Sequence, residues 1–271
     1  MNLFLYASSG LNVSHSLDDS PKPREFRLHT HAWTEVYCFL GGNAVFHIEG
    51  TEYPLEVGDI LLMRPGESHY IETDPTVPYE RIVVNFDNTL FSALDPDKRL
   101  LRPLLQRAAG TLNRYRSEDF HQDNHLDRLK AMLNPDKDRI EILTNLIKLL
   151  QMIGIVFDEH SAQYTPTTTL EQEIIQYINR HPERNITLQT LCDRFFISRA
   201  QLCRRFRKAT GSSVGKYISV KRLMACRQLI LDGEKPTKVC ATFGFRDYSS
   251  FYRAYCAQFG HSPRQESTEI P

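Results

Sequence analysis

The sequence predicts an α+β protein, in which an N-terminal antiparallel β-barrel is followed by helices and then by an all-helical C-terminal domain. Short segments rich in β-branched and aromatic residues fill the chain from about Phe26 to Phe86, with glycine-containing turns between them. After Asp95 the spacing of apolar residues becomes helical. From Thr168 onward each apolar segment carries its own helix start and stop signals, which predicts a separate helical domain.

The predicted barrel occupies residues 1–94, and its strands lie between about Phe26 and Phe86. The expected strands are Thr34–Leu40, Ala44–Ile48, Thr51–Leu55, Asp59–Met63 and Arg81–Phe86. The turns contain Gly41-Gly42-Asn43, Glu49-Gly50 and Gly58-Asp59. Evenly spaced short strands joined by glycine turns favour an antiparallel barrel or jelly roll.

Residues 95–160 form the predicted helical region. Its clearest pattern steps by three and four residues through the positions Ile140, Leu143, Ile147, Leu150, Gly154 and Phe157. Such a seam favours either a helix docked on the barrel or a helix that pairs with its copy in a second subunit, and the seam is too short to decide between them. The polar, threonine-rich segment 161–169, with Pro166, is the predicted interdomain linker.

The predicted C-terminal domain, residues 170–271, contains six helices. Residues that can cap their N-termini are Thr168, Thr187, Ser198, Ser213, Thr237 and Asp247. Two of these residues begin capping boxes, Thr168 with Glu171 and Ser198 with Gln201. The stop signals are Pro182, Gly211, Gly233, Gly244 and Gly260.

The net charge of zero conceals an asymmetry between the two halves of the chain. Residues 1–165 contain 16 basic and 24 acidic residues, a net −8, and residues 166–271 contain 17 and 9, a net +8. Between Ile186 and Gly260, 14 basic residues stand against 4 acidic ones. Such a basic segment is typical of surfaces that contact phosphates, so we expect the C-terminal domain to meet nucleic acid and the acidic half not to.

Cysteine spacing and hydropathy argue against several other classes of protein. The six cysteines include no Cys-x-x-Cys pair, so we expect reduced, mostly packed thiols and no zinc or redox site among them. The N-terminal segment is too short, and lacks the basic flank, for a secretory signal, and no uninterrupted apolar run approaches the ~20 residues that span a bilayer. The sequence therefore predicts a cytoplasmic protein with no membrane partner.

The C-terminal domain contains an internal repeat. With a shift of 49 residues, Phe196, Leu202, Arg204, Phe206, Gly211 and Ser213 coincide with Phe245, Phe251, Arg253, Tyr255, Gly260 and Ser262. Each copy is a short helix, a tight turn and a second helix, which is the helix-turn-helix arrangement. The long helix from Ser213 to Asp232 is expected to join the two copies.

The second helix of each copy has an apolar and a polar face. In the first copy, the core side consists of Leu202, Phe206 and Ala209, and the opposite side of Ala200, Arg204, Arg207 and Lys208. In the second copy, the core side consists of Phe251, Tyr255 and Phe259, and the opposite side of Ser249, Tyr252, Arg253 and Cys256. A basic helix face suits the major groove of DNA, where arginine pairs with guanine and cations hold phosphates. The second copy has one cation there, so we expect it to supply less of the electrostatic affinity.

Five short motifs run through the repeat: Ser198-x3-Leu202-x-Arg204-x-Phe206, Gly211-x-Ser213-x3-Tyr217, Arg222-Leu223-x-Ala225, Gly244-Phe245-x-Asp247-x3-Phe251-x-Arg253 and Gly260-x-Ser262-Pro263. Through them, residues from about 167 to 265 resemble the DNA-binding domain of the AraC/XylS family of bacterial regulators. The resemblance implies that two recognition helices enter successive major grooves on one side of the duplex. The candidate DNA contacts are Arg199, Ala200, Cys203, Arg204, Arg207, Lys208, Tyr248, Ser249, Tyr252 and Arg253. The sequence departs from the family at Cys256, where lysine is usual, and at Glu266-Ser267, where a tyrosine-arginine pair is usual.

Histidines form a second motif in the N-terminal half. His29-Thr30-His31-x3-Glu35 followed by Gly41-Gly42, and Gly58-Asp59 with Pro65-Gly66-x2-His69, resemble the two-part pattern of a cupin barrel. Alternation along a strand puts His29 and His31 on one face, and a return strand can bring His69 beside them. Three imidazoles and a carboxylate permit a divalent metal ion there without requiring one.

Three interpretations of this end of the barrel stay open. Many AraC-type regulators have such a barrel, and the resemblance implies a small-molecule pocket, often for a sugar, lined by His29, His31, Trp33, Glu35, Tyr37 and His69. The alternatives are a metal-assisted ligand site and purely structural histidines at the barrel mouth. We expect His47 and His121 to be structural.

The leading hypothesis is a ligand-responsive, sequence-specific transcription regulator that activates genes for a sugar or a related metabolite. The barrel binds the effector, the helical region forms a homodimer, and the tandem units bind double-stranded promoter DNA, with RNA polymerase as a further partner of an activator. No catalytic residue and no cofactor is assigned. The alternatives are a metal-dependent cupin enzyme fused to a DNA-binding domain and a constitutive DNA binder without an effector.

Overall fold

A computed structural model describes residues 1–21, 29–120, 124–134, 138–165, 168–183 and 185–265. The chain divides into two compact units, an N-terminal unit, Met1–Thr167, and a C-terminal unit, Thr168–Pro271. The first combines strands and helices, and the described part of the second is all-helical, which confirms the predicted α+β class.

The strands of the N-terminal unit form two antiparallel sheets. They are β1 Asn2–Ser8, β2 Leu11–Asp18, β3 Thr34–Gly41, β4 Ala44–Ile48, β5 Thr51–Pro54, β6 Ile60–Met63, β7 His69–Thr73, β8 Tyr79–Phe86 and β9 Arg114–Tyr115. The larger sheet has the order β1-β2-β8-β3-β6-β9, and the smaller has the order β5-β4-β7. The five expected strands match β3, β4, β5, β6 and β8 to within two residues at each end.

The hairpin of β1 and β2 is an element that the sequence analysis did not predict. Gly10 turns the chain between the two strands with a φ of +73°, and β2 pairs with β8 along its whole length. Leu11 and Val13 are fully buried there, whereas Leu5 on the edge strand β1 is 64% exposed. The larger sheet therefore begins with residues from the chain's N-terminal end.

Alternate residues of β3 enter two different cores. Val36 and Cys38 pack with the helices, and Tyr37 and Phe39 pack between the two sheets. This is the period of two that a strand imposes on its side chains. The space between the sheets is thus filled by aromatic and aliphatic side chains, and the site described below lies beside it, where β7 begins.

Helices cover the outer face of the larger sheet. They are α1 Arg102–Leu105, α2 His125–Met132 and α3 Arg139–Gln163, with 3-10 turns at Asn88–Phe91 and Ser117–Phe120. Among the described residues, α3 alone is long and apolar enough to cross a membrane. Leu146, Leu149 and Ile153 of α3 are fully buried in the core that it shares with the strands, so this helix packs on the sheet.

The predicted seam lies along the edge of the buried face of α3. Leu150, Gly154 and Phe157 are buried, and Leu143 and Ile147 pack against the same core, whereas Ile140, the first residue of the seam, is 71% exposed. The docked-helix alternative describes this inner face. Pairing through the outer face stays a prediction.

The C-terminal unit consists of α4 Leu170–Arg180, α5 Leu188–Phe195, α6 Arg199–Thr210, α7 Val214–Leu231, α8 Pro236–Thr242 and α9 Tyr248–Phe259. The caps at Thr187, Ser198, Ser213 and Asp247 are as predicted. Two predicted starts were wrong. The first capping box joins Thr169 to Gln172 instead of Thr168 to Glu171, and α8 starts at Pro236 after Lys235, since proline suits the first turn of a helix.

Candidate functional site

Helix α6 separates an apolar inner face from a basic outer face. Leu202 and Phe206 are buried, and the Phe206 ring meets the Tyr217 ring of α7 edge-on, with 5.3 Å between the centroids. Ala209, expected on the core side, is half-buried. The predicted contact residues are all exposed: Arg199, Ala200, Cys203, Arg204, Arg207 and Lys208.

Arg205 differs from the other cations of α6. Its Nε donates to the Glu171 carboxylate of α4. This hydrogen bond lowers the pKa of Glu171. The guanidinium therefore ties α6 to α4.

Helix α9 repeats the arrangement with fewer charges. Phe251 and Tyr255 are fully buried, and Ser249, Tyr252 and Arg253 are exposed. Tyr248 is half-buried, and its ring lies 5.8 Å from the Phe251 ring, so this predicted contact residue also packs on the core. Four of the ten predicted DNA contacts lie on α9, and Arg253 is the one cation among these four.

The 49-residue equivalence fails at Phe196. Phe245 is partly buried against Phe251, with 5.1 Å between the ring centroids, but Phe196 is 96% exposed. Phe196 closes α5 in the left-handed conformation with a φ of +52°, and buried Ile197 takes the inward position. In the second turn the left-handed residue is Gly244. Fewer residues separate Phe196 from the start of α6 than separate Gly244 from the start of α9, and the difference is one residue.

In the N-terminal unit, backbone pairing brings the two halves of the histidine motif together. The N–H of His29 donates to the carbonyl of His69 at 3.0 Å, and the N–H of His69 donates back to the carbonyl of His29 at 3.1 Å. The N–H of Gly66 donates to the carbonyl of His31 at 3.0 Å. His29 thus pairs with His69 at the start of β7, as the return-strand prediction requires.

Three imidazole rings and one carboxylate meet at this end of the sheets. The candidate ligand atoms of His29, His31 and His69 all lie within 4.8 Å of one another. Nε2 of His31 lies 2.9 Å from Oε2 of Glu35, which is itself buried. We call these four residues the histidine cluster.

Burial and charge set the protonation states of the cluster. Burial lowers the pKa of His69 to about 3. Burial acts in the same direction on His31, but the hydrogen bond and the charge of Glu35 together outweigh it and raise the pKa of His31. Burial opposes ionisation of Glu35, but His31 and then the other two histidines hold the pKa of Glu35 at about 2. At neutral pH the cluster therefore contains an ionised carboxylate beside a neutral His69.

The other two predicted ligand contacts are Trp33 and Tyr37. The carbonyl of Trp33 accepts a hydrogen bond from Nδ1 of His31, and the Trp33 side chain is half-buried. Tyr37 is buried between the sheets, and its hydroxyl shares a 2.6 Å hydrogen bond with the hydroxyl of Tyr79. His47, expected to be structural, stacks on Tyr70 at 4.2 Å, and His121 lies outside the described residues.

The residues that hold His69 in place belong to no motif that was recognised in the sequence. The carbonyl of Glu67 accepts a hydrogen bond from Nδ1 of His69 at 2.8 Å, and Phe46 stacks on the His69 ring at 5.7 Å. The buried Glu67 carboxylate pairs with Arg107, whose side chain is fully buried. No local signal links Glu67 to a residue forty positions later in the chain.

Comparison with known proteins adds to this geometry. The model of an AraC-like ligand binding domain matches residues 19–149, and that of a helix-turn-helix domain matches residues 191–268. The chain belongs to the AraC/XylS family of transcriptional regulators. As a member of this family, it is a DNA-binding regulator with an effector-binding N-terminal domain.

Similar AraC/XylS proteins span most of this chain. It is similar to the HTH-type transcriptional activator RhaS of Escherichia fergusonii, with 22% identity over 93% of this chain and 91% of that protein. The XylDLEGF operon transcriptional activator of Pseudomonas putida is 23% identical over 84% of this chain and 72% of its own length. A crystal structure of ToxT from Vibrio cholerae aligns with 94% of this chain and 97% of its own, with a TM-score of 0.41 and 12% identity.

This AraC/XylS regulator departs from the family pattern at positions that bear on the second copy. Cys256, at the position where the family usually has lysine, is half-buried on α9. Glu266-Ser267 lies outside the described residues. The curated relatives named above are transcription regulators, which agrees with a regulatory and not an enzymatic role.

Proposed function

We propose that this protein is an effector-responsive activator that binds promoter DNA through the outer faces of α6 and α9. The outer face of α6 carries the proposal, because four exposed cations lie there on a capped helix whose opposite face is buried. That arrangement presents guanidinium groups to base edges and phosphates while the core holds the helix rigid. The names of the similar proteins, both transcriptional activators, support activation.

We further propose that the effector is a small polar molecule, such as a sugar, held at the histidine cluster. The imidazoles and the Glu35 carboxylate can hydrogen-bond hydroxyl groups, and the half-buried Trp33 ring can stack on a sugar face. Ile140 and Ile155 on the outer face of α3 are 71% and 58% exposed, which supports a homodimer through this helix. The protein then acts in the cytoplasm, and as an activator it contacts RNA polymerase.

The DNA-binding proposal is tested with duplexes selected by the purified full chain from a random pool. We expect Arg204→Ala to weaken binding of the selected duplex by about 5- to 150-fold, which corresponds to a base contact worth about 1–3 kcal/mol. Arg99→Ala is the matched control, because this arginine is 79% exposed in the N-terminal unit and its loss changes the net charge equally. A gel-shift titration at fixed salt measures both variants.

Two outcomes would contradict the proposal. If the selection from the random pool enriches no sequence, the protein does not bind DNA in a sequence-specific way. Equal losses of affinity in Arg204→Ala and Arg99→Ala would show that Arg204 acts only through net charge, and would remove it from the contact surface.

A further inference from the structure

One edge of the larger sheet is formed by β1. This strand pairs with β2 on one side and ends the strand order of its sheet, so the described part of the chain supplies no strand on its other side. In an antiparallel pair every second residue turns its N–H and C=O away from the partner strand. The outer edge of β1 therefore presents backbone donors and acceptors to which a further strand can bond.

The composition of β1 is unusual for an edge strand. Natural proteins keep such edges from pairing with charged side chains, with proline or with a covering element. Residues 1–17 contain no Asp, Glu, Lys, Arg or Pro, although 24% of the chain is charged. Met1, Leu3 and Leu5 are 73%, 43% and 64% exposed, so the described residues leave this apolar strand open to solvent. An uncharged, apolar edge of this kind is a site for pairing with another chain.

Both faces of β1 are complementary to a second copy of the same strand. Phe4 and Tyr6 are partly buried against the core that contains the helices, whereas Leu5 and Ala7 are exposed on the opposite face. The register of β1 with β2 is regular from Phe4 to Ser8. Antiparallel pairing about Leu5 places this residue opposite its own copy, and Phe4 opposite Tyr6 on either side. Such aliphatic and aromatic pairs stabilise a sheet, and no like charges meet across the axis.

We infer that β1 pairs antiparallel with the β1 of a second copy of this chain, about a two-fold axis at Leu5. The larger sheet then continues from one subunit into the next. This contact uses no residue of α3, so it does not rest on the homodimer that is proposed for that helix. A pair of seven-residue strands buries less than the ~1,200 Å² of the smallest stable interfaces, so we expect a Kd on the order of 10–100 μM.

Cross-linking at single positions of the full chain tests the register. Residues directly opposite each other in an antiparallel pair have Cα atoms about 4.5–5.5 Å apart, which is within the range of a disulfide. Under mild oxidation, at a concentration above the expected Kd, we expect Leu5→Cys to form a covalent dimer through the introduced thiols, identified by peptide mass mapping. Ala7→Cys is the matched control, because Ala7 is exposed on the same face but lies roughly 13 Å along the strand from its copy. The oxidised wild type shows any links between native cysteines.

Sedimentation equilibrium tests the same contact without a cross-link. The background is Ile155→Asp, which removes the proposed pairing through α3 and leaves β1 as the contact to be measured. Addition of Leu5→Lys brings like charges together at the axis and should weaken the remaining self-association at least tenfold. Addition of Val57→Lys, at a 60% exposed apolar residue outside the strands of the same unit, should change it by less than twofold. Circular dichroism checks that each variant is folded.

Three outcomes would overturn the inference. Absence of a covalent dimer in Leu5→Cys would mean that another segment or partner occupies this edge, or that nothing does. Equal cross-linking in Leu5→Cys and Ala7→Cys would exclude a two-fold axis at Leu5, and a monomeric Ile155→Asp chain would exclude the contact in solution. A gel shift with the selected duplex separates this inference from the proposed function. A chain that cross-links in Leu5→Cys but selects no duplex keeps the strand pairing and loses the regulatory role, and DNA binding without the cross-link has the opposite meaning.

Discussion

Replacing the Glu67 carboxylate by an amide tests the network that holds the turn before His69. The Glu67 side chain is 2% exposed, and its oxygens accept hydrogen bonds from Nη1 and Nη2 of Arg107 at 2.6 and 2.7 Å. The backbone N–H groups of Arg64 and Gly110 donate to it at 3.0 Å, and Nδ2 of Asn113 donates at 3.2 Å. In Glu67→Gln one oxygen becomes an NH2 that faces these donors, and Arg107 stays buried without its counter-ion.

The magnitude follows from the pKa of Glu67. Burial opposes ionisation, but Arg107 outweighs it and holds the pKa at about 2, against 4.5 for an unperturbed glutamate. A lowered pKa in the folded state stabilises the protein above the unfolded pKa, and this stabilisation is lost as the pH falls toward 2. At about 1.4 kcal/mol per pKa unit the difference amounts to roughly 3 kcal/mol at pH 7. Removal of one partner of a buried ion pair costs about 3–5 kcal/mol, so we expect Glu67→Gln to lower the free energy of unfolding by that amount.

Urea denaturation at pH 7 and pH 3.5 measures this effect. Trp33 is the only tryptophan and lies in the N-terminal unit, so its fluorescence reports on the unit that contains Glu67. The wild type should lose roughly 1 kcal/mol of this contribution by pH 3.5, and Glu67→Gln should not. Glu56→Gln is the control, because the Glu56 side chain is 81% exposed and a surface pair contributes less than about 1 kcal/mol. Equal stability of Glu67→Gln and the wild type at pH 7, with the same loss on acidification, would refute the reasoning.

Two further predictions concern the surface. Phe196→Gly should raise the free energy of unfolding of the C-terminal unit by about 0.5–1 kcal/mol, because glycine relieves the left-handed backbone and the 96%-exposed ring packs on little. Urea denaturation followed by circular dichroism measures it, and an equal gain in Phe196→Ala would contradict the backbone explanation. Ile155→Asp should weaken the proposed homodimer at least tenfold in sedimentation equilibrium, while Leu94→Asp, also at an exposed apolar residue, should not. A monomeric wild type would contradict that prediction.

Local signals predicted the strands that carry their own alternation, but they could not predict the first hairpin. The strands β3 to β6 combine β-branched or aromatic residues with glycine turns, so the pattern is visible within each segment. The hairpin of β1 and β2 takes its place by pairing with β8, where Leu11 lies opposite Phe86. That partner is far away in the sequence, and the outward apolar residues of β1 disguise the alternation.

The seam along α3 follows the edge of the buried face of this helix instead of its centre. Steps of three and four residues average 3.5 per turn, and an α-helix has 3.6, so the seam drifts by about 20° per heptad. It starts at Ile140 on the exposed side and ends at Phe157, which is buried in the core. The sequence therefore identified the helix and one edge of its buried face, but not the centre of that face at Leu146, Leu149 and Ile153.

Two features of the candidate functional surfaces could be predicted because the residues themselves carry the signal. The exposed cations of α6 and the association of His29, His31 and His69 were visible as motifs. The orientation of the rings was not visible, because it depends on the carbonyls of Trp33 and Glu67, and every residue has a carbonyl.

Two groups of Glu67 have different roles: the carboxylate contributes to the stability of the N-terminal unit, and the carbonyl helps to place the His69 ring. Its carboxylate pairs with Arg107, while its carbonyl, which a side-chain substitution leaves in place, accepts from Nδ1 of His69. The ring is held in addition by the backbone pairing with His29 and by the stacking with Phe46. None of these three contacts uses the carboxylate. A variant at Glu67 that is less stable, but folded, should therefore keep the His69 ring in place, and a loss of both stability and ring placement would mean that the turn depends on the ion pair for its conformation.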